Sequence, residues 1–374
     1  MLCLTNLYQK LSNFQLSLIA GQAKEYLAGD SLNNKKCDYS LLEKINFCDM
    51  NISVCNIMEV YGSRTWKLLY AIECNYINKG EYLKALFIRR LNQKCAVLYD
   101  KNKGRITNSF FLAWSYFFEG NNESARKIVS RELKCPLINL VRSKLLLLNY
   151  IFSGNVNTNV LKNNNLSIYD LDVEGKTIRI VGPLAVGRSA LNDDHVISVS
   201  INCVEDERTQ KSGISFYNGG TMERLALGVF RIPQMTKYVF HRVKYTYQNI
   251  LKKENKLRLT YNCDYIFGLG QPNMLPHILF QVLASNPKAI YVDGFNLYMS
   301  KKIYNDAYLN NNSKNNDFCA LISSFGVHNL ITQYLFIHTL YKMRLIIPDE
   351  LLKDILEKGI DEYLYNMENL AKSN

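Results

Sequence analysis

Short runs of β-branched and aromatic residues alternate with helical stretches in the second half of the chain, and this alternation constrains the fold more than any other feature. Most of the runs are apolar throughout, as strands buried on both faces of a parallel sheet are. Strands separated by helices predict a doubly wound, Rossmann-like α/β fold with a mostly parallel sheet. The predicted strands are Thr177–Val181, Val196–Ile201, Ile214–Tyr217, Tyr265–Leu269 and Ala289–Asp293, and the predicted helices are Met274–Ala284 and Leu330–Lys342.

The first half of the chain has a different pattern, with apolar residues at helical spacing from about Thr65 to Gly154 and Gly or Asn at the breaks. A tyrosine precedes a glycine by four residues three times, which indicates a helix, a tight turn and a second helix used repeatedly. The spacing between these glycines resembles the tetratricopeptide period of about 34 residues, although an ordinary helical bundle is equally compatible. The pairs are Tyr76 and Gly80, Tyr116 and Gly120, and Tyr150 and Gly154; Ala85 and Ala125 each follow their glycine by five residues.

The chain has 374 residues, which is long enough for two domains of ordinary size. An Asn- and Lys-rich polar stretch at residues 155–165 separates the two patterns. We therefore predict an α-helical, repeat-like domain over residues 1–165 and an α/β domain over residues 166–374.

The net charge of +12 favours an anionic partner. No zinc-finger spacing, RNP-like aromatic motif or concentrated basic helix is present, so of nucleic acid, an acidic lipid surface and an acidic glycan, nucleic acid is not expected and a lipid-headgroup surface fits better. No apolar run spans a bilayer and no secretory signal pattern is present. We expect a cytoplasmic protein, in peripheral contact with the inner face of the membrane. Ten scattered cysteines without a CxxC pair predict reduced, mostly buried thiols.

Small and amide residues follow the predicted strands, where ligands bind in sheets of this type. Gly182-Pro183 follows the first strand, and Asn202 and Asn218 end the second and third. The first turn is not GxGxxG and no acidic residue ends the second strand, so a nicotinamide cofactor is not expected. Amides can read a base or a ribose edge, whereas the Asn218-Gly219 pair is equally typical of a simple turn.

Several blocks of the second half, taken in order, resemble the bacterial sialyltransferases. The resemblance extends from about Lys176 to Pro348 and depends on block order. It departs from the family at the first turn, where Asn-Gly-Pro-Ser is reduced to Gly182-Pro183, and at the Ser/Thr-Ser-Gly helix start. The matching blocks are Gly182-Pro183, Asp193–Asn202, Phe216–Asn218, Asn273-Met274, Tyr291–Tyr298 with Tyr304 six residues later, and Phe325–His328.

The resemblance implies an inverting, metal-independent glycosyltransferase that moves sialic acid or a related acid sugar from a CMP-activated donor to a glycan hydroxyl, in surface polysaccharide or lipo-oligosaccharide synthesis. No cofactor is implied beyond the CMP-sugar substrate. His328 would be the catalytic base, and Tyr298 and Tyr304 would bind the donor phosphate. The implied nucleotide-binding residues are Gly182, Pro183, Asn202, Asn218 and Asn273.

The chemistry of these residue types agrees with that assignment. Two tyrosine hydroxyls can donate to a departing phosphate without a metal ion, and a histidine with a pKa near ~6.5 can remove the acceptor proton at neutral pH. No Asp-any-Asp pair follows a strand, so we expect no metal site. Two alternatives stay open: an inactive transferase-like binding module whose helical repeats bind a protein partner, and a transferase that uses another nucleotide sugar.

Overall fold

The structure is a computed structural model, and it describes residues 40–102, 108–133, 142–153, 173–184, 196–202, 213–229, 231–232, 234, 236–242, 256–260, 267–269, 273–299 and 329–372. Before residue 154, the regular elements of the described ranges are all helices. They are α1 (Ser40–Glu43), α2 (Met50–Met58), α3 (Ser63–Asn78), α4 (Tyr82–Asn102), α5 (Ser109–Phe118), α6 (Asn122–Glu132) and α7 (Arg142–Ser153).

The recurring tyrosine-to-glycine spacing marks one helix-ending motif that is used after α3 and again after α5. Gly80 and Gly120 have φ values of 71° and 78°, a left-handed conformation that glycine adopts without strain. The N–H that follows each glycine donates to the tyrosine carbonyl, at 2.9 Å for Tyr76 and 2.8 Å for Tyr116, as in a Schellman motif. The tyrosine-to-glycine spacing thus marks the turn between two consecutive helices, in the helical hairpins α3–α4 and α5–α6.

The predicted α/β fold is confirmed, because all neighbouring strands of a seven-stranded sheet pair in parallel in the order β5-β4-β3-β2-β1-β6-β7. The strands are β1 (Thr177–Val181), β2 (Val196–Ile201), β3 (Ile214–Tyr217), β4 (Tyr238–Arg242), β5 (Leu257–Thr260), β6 (Ala289–Asp293) and β7 (Ile347–Pro348). The helices of this region are α8 (Gly219–Ala226), α9 (Met274–Leu283), α10 (Leu330–Lys342), α11 (Glu350–Lys358) and α12 (Ile360–Lys372).

Four of the five predicted strands have the observed bounds, but the prediction at Tyr265–Leu269 is wrong for the part that the structure describes. Residues 267–269 form a turn instead of a strand. Gly268 has a φ of 86°, and a Cβ atom built on it would lie 3.1 Å from the backbone of Phe111. The close packing of this turn on α5 therefore replaces the extended backbone that the apolar sequence predicted.

The helical region and the sheet region share one continuous hydrophobic core among the described residues. Trp114 on α5 lies edge-on to Phe336 on α10, with ring centroids 6.3 Å apart. The N–H of Leu83 at the start of α4 donates to Oε1 of Glu368 on α12 at 2.8 Å. The helices that end at Ser153 and the sheet that begins at Thr177 are therefore buried against each other, on either side of the predicted boundary at residue 165.

A buried polar cluster joins the two regions at the centre of this core. Glu73 on α3 pairs with Arg89 on α4 at 2.6 Å, and their side chains are 0% and 4% exposed. Arg89 also donates to Oγ1 of Thr332 on α10 at 3.0 Å, and Asn329 donates to Oε1 of Glu73 at 2.6 Å. Because an isolated buried charge is costly, each member of this cluster depends on the others.

The described thiols divide equally between surface and interior. Cys48 and Cys55 are exposed, whereas Cys74 and Cys95 are buried. Burial raises the pKa of both Cys74 and Cys95 to about 12, so these two stay protonated at neutral pH. The prediction of mostly buried thiols therefore holds for only half of the cysteines that the structure describes.

None of the helices in the described ranges is both long enough and apolar enough to cross a membrane.

Candidate functional site

The strand order reverses its direction at β1. Strands β2 to β5 extend from one side of β1, and β6 and β7 extend from the other. In doubly wound sheets, ligands bind where the direction of winding reverses, outside the carboxyl ends of the strands. The predicted residues Gly182, Pro183, Asn202, Asn218 and Tyr298 all follow strands at this edge.

The turns after β1 and β6 meet backbone to backbone at the reversal point. The N–H of Gly182 donates to the carbonyl of Asp293 at 2.7 Å, and the N–H of Leu184 donates to the carbonyl of Gly294 at 3.1 Å. A Cβ atom on residue 182 would lie 2.4 Å from the Gly294 oxygen and 2.7 Å from the ring of Phe295. Glycine is therefore required here because two turns approach each other, and Pro183 continues the turn at the site edge.

Asn202 and Asn218 lie at the ends of adjacent strands and contact each other. Oδ1 of Asn202 accepts from the backbone N–H of Asn218 at 2.9 Å, and Asn202 itself has a left-handed φ of 54°. Oδ1 of Asn218 accepts from the N–H of Thr221 at 2.8 Å and so caps the start of α8. The capping bond uses only the oxygen of the exposed Asn218 side chain, and the amide nitrogen can donate to a ligand.

The turn after β6 holds two consecutive non-glycine residues in the left-handed region. Leu297 has a φ of 47° and Tyr298 a φ of 69°. Such conformations cost of the order of 1–3 kcal/mol each and persist only when neighbouring structure enforces them. They occur preferentially at binding and catalytic sites, which makes this turn the strongest backbone signal of a site in the described part of the chain.

Contacts from the C-terminal helices hold this strained turn. Oδ2 of Asp349, the N-cap residue of α11, accepts from the N–H of Gly294 at 2.7 Å. The hydroxyl of Tyr363 on α12 donates to the carbonyl of Leu297 at 2.8 Å. Complete burial raises the pKa of Tyr363 well above its ordinary value, so the hydroxyl keeps the proton that it donates.

The structure brings Asn273 and Tyr298 into direct contact. Nδ2 of Asn273 donates to the hydroxyl oxygen of Tyr298 at 3.2 Å. Oδ1 of the same amide accepts from the N–H of Leu275 at 3.2 Å, which makes Asn273 the N-cap of α9 and fixes its orientation. Two residues that the resemblance assigns to the nucleotide and to its phosphate are therefore neighbours, although 25 residues separate them in sequence.

Sequence reasoning missed an ion pair beside the reversal point. Nε of Arg179 on β1 contacts Oδ2 of Asp293, the last residue of β6, and both side chains are 13% exposed. An arginine inside the otherwise apolar run of β1, and an aspartate that ends a strand, were the available signals. Asp349 was also missed, although an aspartate before an apolar helical pattern indicates an N-cap.

Two predicted residues, Tyr304 and His328, lie outside the described residues. Their described neighbours are Met299, in the turn after β6, and Asn329, whose Oδ1 caps α10 through the N–H of Thr332 at 3.0 Å. Within the described ranges, no three His, Cys, Asp or Glu side chains form a group that could hold a metal ion.

No protein-family profile, curated protein or solved structure matches the chain.

Proposed function

We propose that this chain is a glycosyltransferase that moves a sugar from a CMP-activated donor to a glycan hydroxyl, with its site at the carboxyl edge of β1, β2, β3 and β6. The observation that carries the proposal is the contact between Asn273 and Tyr298 on a strained turn beside the reversal point. The resemblance assigns these residues to the donor nucleotide, and the fold brings them together from two separate elements.

The hydrogen-bond geometry suits Tyr298 to the role of phosphate donor. Asn273 donates to the Tyr298 oxygen, because its own Oδ1 is engaged by the N–H of Leu275. A tyrosine hydroxyl can both accept and donate hydrogen bonds. When the bond between sugar and phosphate breaks, charge develops on the phosphate, and a positioned hydroxyl donor stabilises that charge. Tyr304 is proposed as the second such donor.

The remaining residues at this edge are proposed to bind the nucleoside. Asn202 and Asn218 follow strands that lie one and two positions from β1, roughly 5–10 Å away at the usual strand spacing. Gly182 and Pro183 follow β1, which lies between the strand that Asn202 follows and β6. His328 is proposed to remove the proton from the attacking acceptor hydroxyl. The anchored side chain of Asn329 would then hold the backbone next to that base.

Calorimetric titration with CMP, CDP, UDP, GDP and NAD tests the nucleotide assignment. We expect CMP to bind most tightly, without a requirement for divalent metal. Asn273→Ala and Tyr298→Phe should each weaken CMP binding, whereas Tyr365→Phe on the exposed face of α12 should not. Equal binding of UDP with manganese would favour another nucleotide sugar, and tight CMP binding without turnover would favour the inactive binding module.

A further inference from the structure

The turn that ends α8 exposes four consecutive apolar residues, Ala226–Val229. Leu227 and Val229 are 73% and 57% exposed, and no other large hydrophobic residue in the described ranges is more exposed than these two. We call residues 226–229 the apolar tip. Single exposed leucines are ordinary, but an uninterrupted exposed run of this kind indicates an interaction surface.

The helix-ending motif explains why Val229 is not packed against the protein. Gly228 has a φ of 70°, and the N–H of Val229 donates to the carbonyl of Arg224 at 2.9 Å, as in a Schellman motif. In that motif the residue after the glycine usually packs on the side chain three positions before the helix cap. Here that position holds Arg224 instead of an apolar residue, so the turn presents Val229 to the outside.

The charges around the apolar tip have one dominant sign. Between residues 224 and 237 the chain has three basic residues, Arg224, Arg231 and Lys237, and no acidic residue. Arg231 and Lys237 are exposed, and the exposed Glu223 is the acidic residue immediately before this segment. In the sequence, Phe230 lies between the tip and Arg231, and the residues between Arg231 and Lys237 are uncharged. Apolar side chains flanked by cations are complementary to the boundary between anionic headgroups and acyl chains.

We propose that the apolar tip inserts into the surface of an anionic lipid bilayer. Leu227 and Val229 enter the boundary between headgroups and acyl chains, and Arg231 and Lys237 contact lipid phosphates. The chain's net charge of +12 adds attraction to the same surface. This inference does not depend on the proposed transferase activity, because it concerns a different part of the molecule.

The topology separates the apolar tip from the candidate site. Helix α8 starts at the carboxyl end of β3 and leads to β4, which is parallel to β3, so the helix runs back toward the amino ends of the strands. The tip therefore lies toward the opposite edge of the sheet from Asn202 and Asn218. A protein docked through the tip keeps its proposed nucleotide site open to solvent, and the two properties can be measured independently.

Vesicle co-sedimentation of the full chain tests the proposal. The probes are vesicles of phosphatidylcholine alone and of phosphatidylcholine mixed with phosphatidylglycerol. We expect binding to the anionic vesicles only, weakened by salt because surface charges are screened. The double variant Leu227→Ser/Val229→Ser should bind about 10-fold more weakly or worse, since it removes the inserted apolar groups. Arg231→Gln should weaken binding by a smaller factor.

The matched control is Leu351→Ser, which removes a leucine that is 46% exposed on α11 and should leave vesicle binding unchanged. Circular dichroism checks that every variant is folded, which we expect because the substituted side chains lie in solvent. Wild-type protein that binds neither vesicle, or a double variant that binds as tightly as wild type, would overturn the proposal. Sedimentation velocity adds a further test: a dimer that the double variant abolishes would identify the tip as a contact between two copies instead.

Discussion

Asn329 donates from Nδ2 to Oε1 of Glu73 at 2.6 Å, although 256 residues separate the two in sequence. Glu73 lies in the helical region and Asn329 caps the helix that follows the predicted base. The contact therefore ties the helical region to the position where catalysis is proposed. The hydrogen bond between Asn329 and Glu73 depends on the ion pair between Glu73 and Arg89, which is almost completely buried.

Replacing Glu73 with leucine should lower the free energy of unfolding by about 3–5 kcal/mol, because it leaves the Arg89 charge buried without its partner. Denaturant unfolding followed by circular dichroism measures the change. The matched control is Arg90→Ala, which breaks the pair between Arg90 and Asp361; those side chains are 47% and 65% exposed, so the effect should stay within about 1 kcal/mol. Similar effects of the two variants would mean that Arg89 finds another partner.

A fragment of residues 166–374 should fail to fold alone, because α10 and α12 would lose the helical partners on which they pack. Removal of α3 and α4 would also leave Asn329 and Thr332 without the buried side chains that they contact. Proton NMR of the purified fragment measures this directly. A well-dispersed spectrum would instead support two independent domains with a boundary near residue 165.

Gly182→Ala should strongly destabilise the protein or abolish CMP binding, because its Cβ would lie 2.4 Å from the backbone oxygen of Gly294. The turns after β1 and β6 would have to separate, and both turns lie beside the proposed nucleotide site. Gly213→Ala is the control, since a Cβ there has only ordinary contacts at 3.7 Å and beyond. Thermal unfolding with and without CMP distinguishes the two variants, and equal behaviour would contradict the packing argument.

The three residues assigned to catalysis should give different kinetic results. His328→Ala should lower turnover roughly 10²-fold or more with CMP affinity nearly unchanged, because the imidazole acts on the acceptor proton. Tyr298→Phe and Tyr304→Phe should each lower turnover by about 10-fold or more, because each removes a donor to the developing phosphate charge. Steady-state rates, together with CMP titrations, measure both effects. Turnover at the wild-type rate in His328→Ala would contradict the assignment of His328 as the catalytic base.

Local sequence patterns predicted the central strands because those strands are short apolar runs bounded by turn residues. Thr177–Val181 and Ala289–Asp293 are buried at alternate positions. The outer strands were missed. Tyr238–Arg242 and Leu257–Thr260 contain basic residues and lack the continuous apolar character of a central strand.

Contacts between distant residues could not be predicted from local patterns. The spacing of Tyr298 and Tyr304 was visible in the sequence, but nothing local showed that Asn273 reaches the Tyr298 hydroxyl. The burial of Glu73 and Arg89 could not be predicted either, because charged residues in an amphipathic helix normally face water. Their burial follows from a third element, α10, which packs over them from the far end of the sequence.

The strand order also determines when the sheet can be completed during translation. Strand β1 leaves the ribosome early, yet one of its two partners is β6, which is synthesised after β2, β3, β4 and β5. Until β6 emerges, the edge of β1 that later pairs with β6 has unpaired backbone N–H and C=O groups. Such open edges promote aggregation of nascent chains. Production of this protein in a foreign host should therefore benefit from slow expression at low temperature or from chaperones that cover the growing sheet.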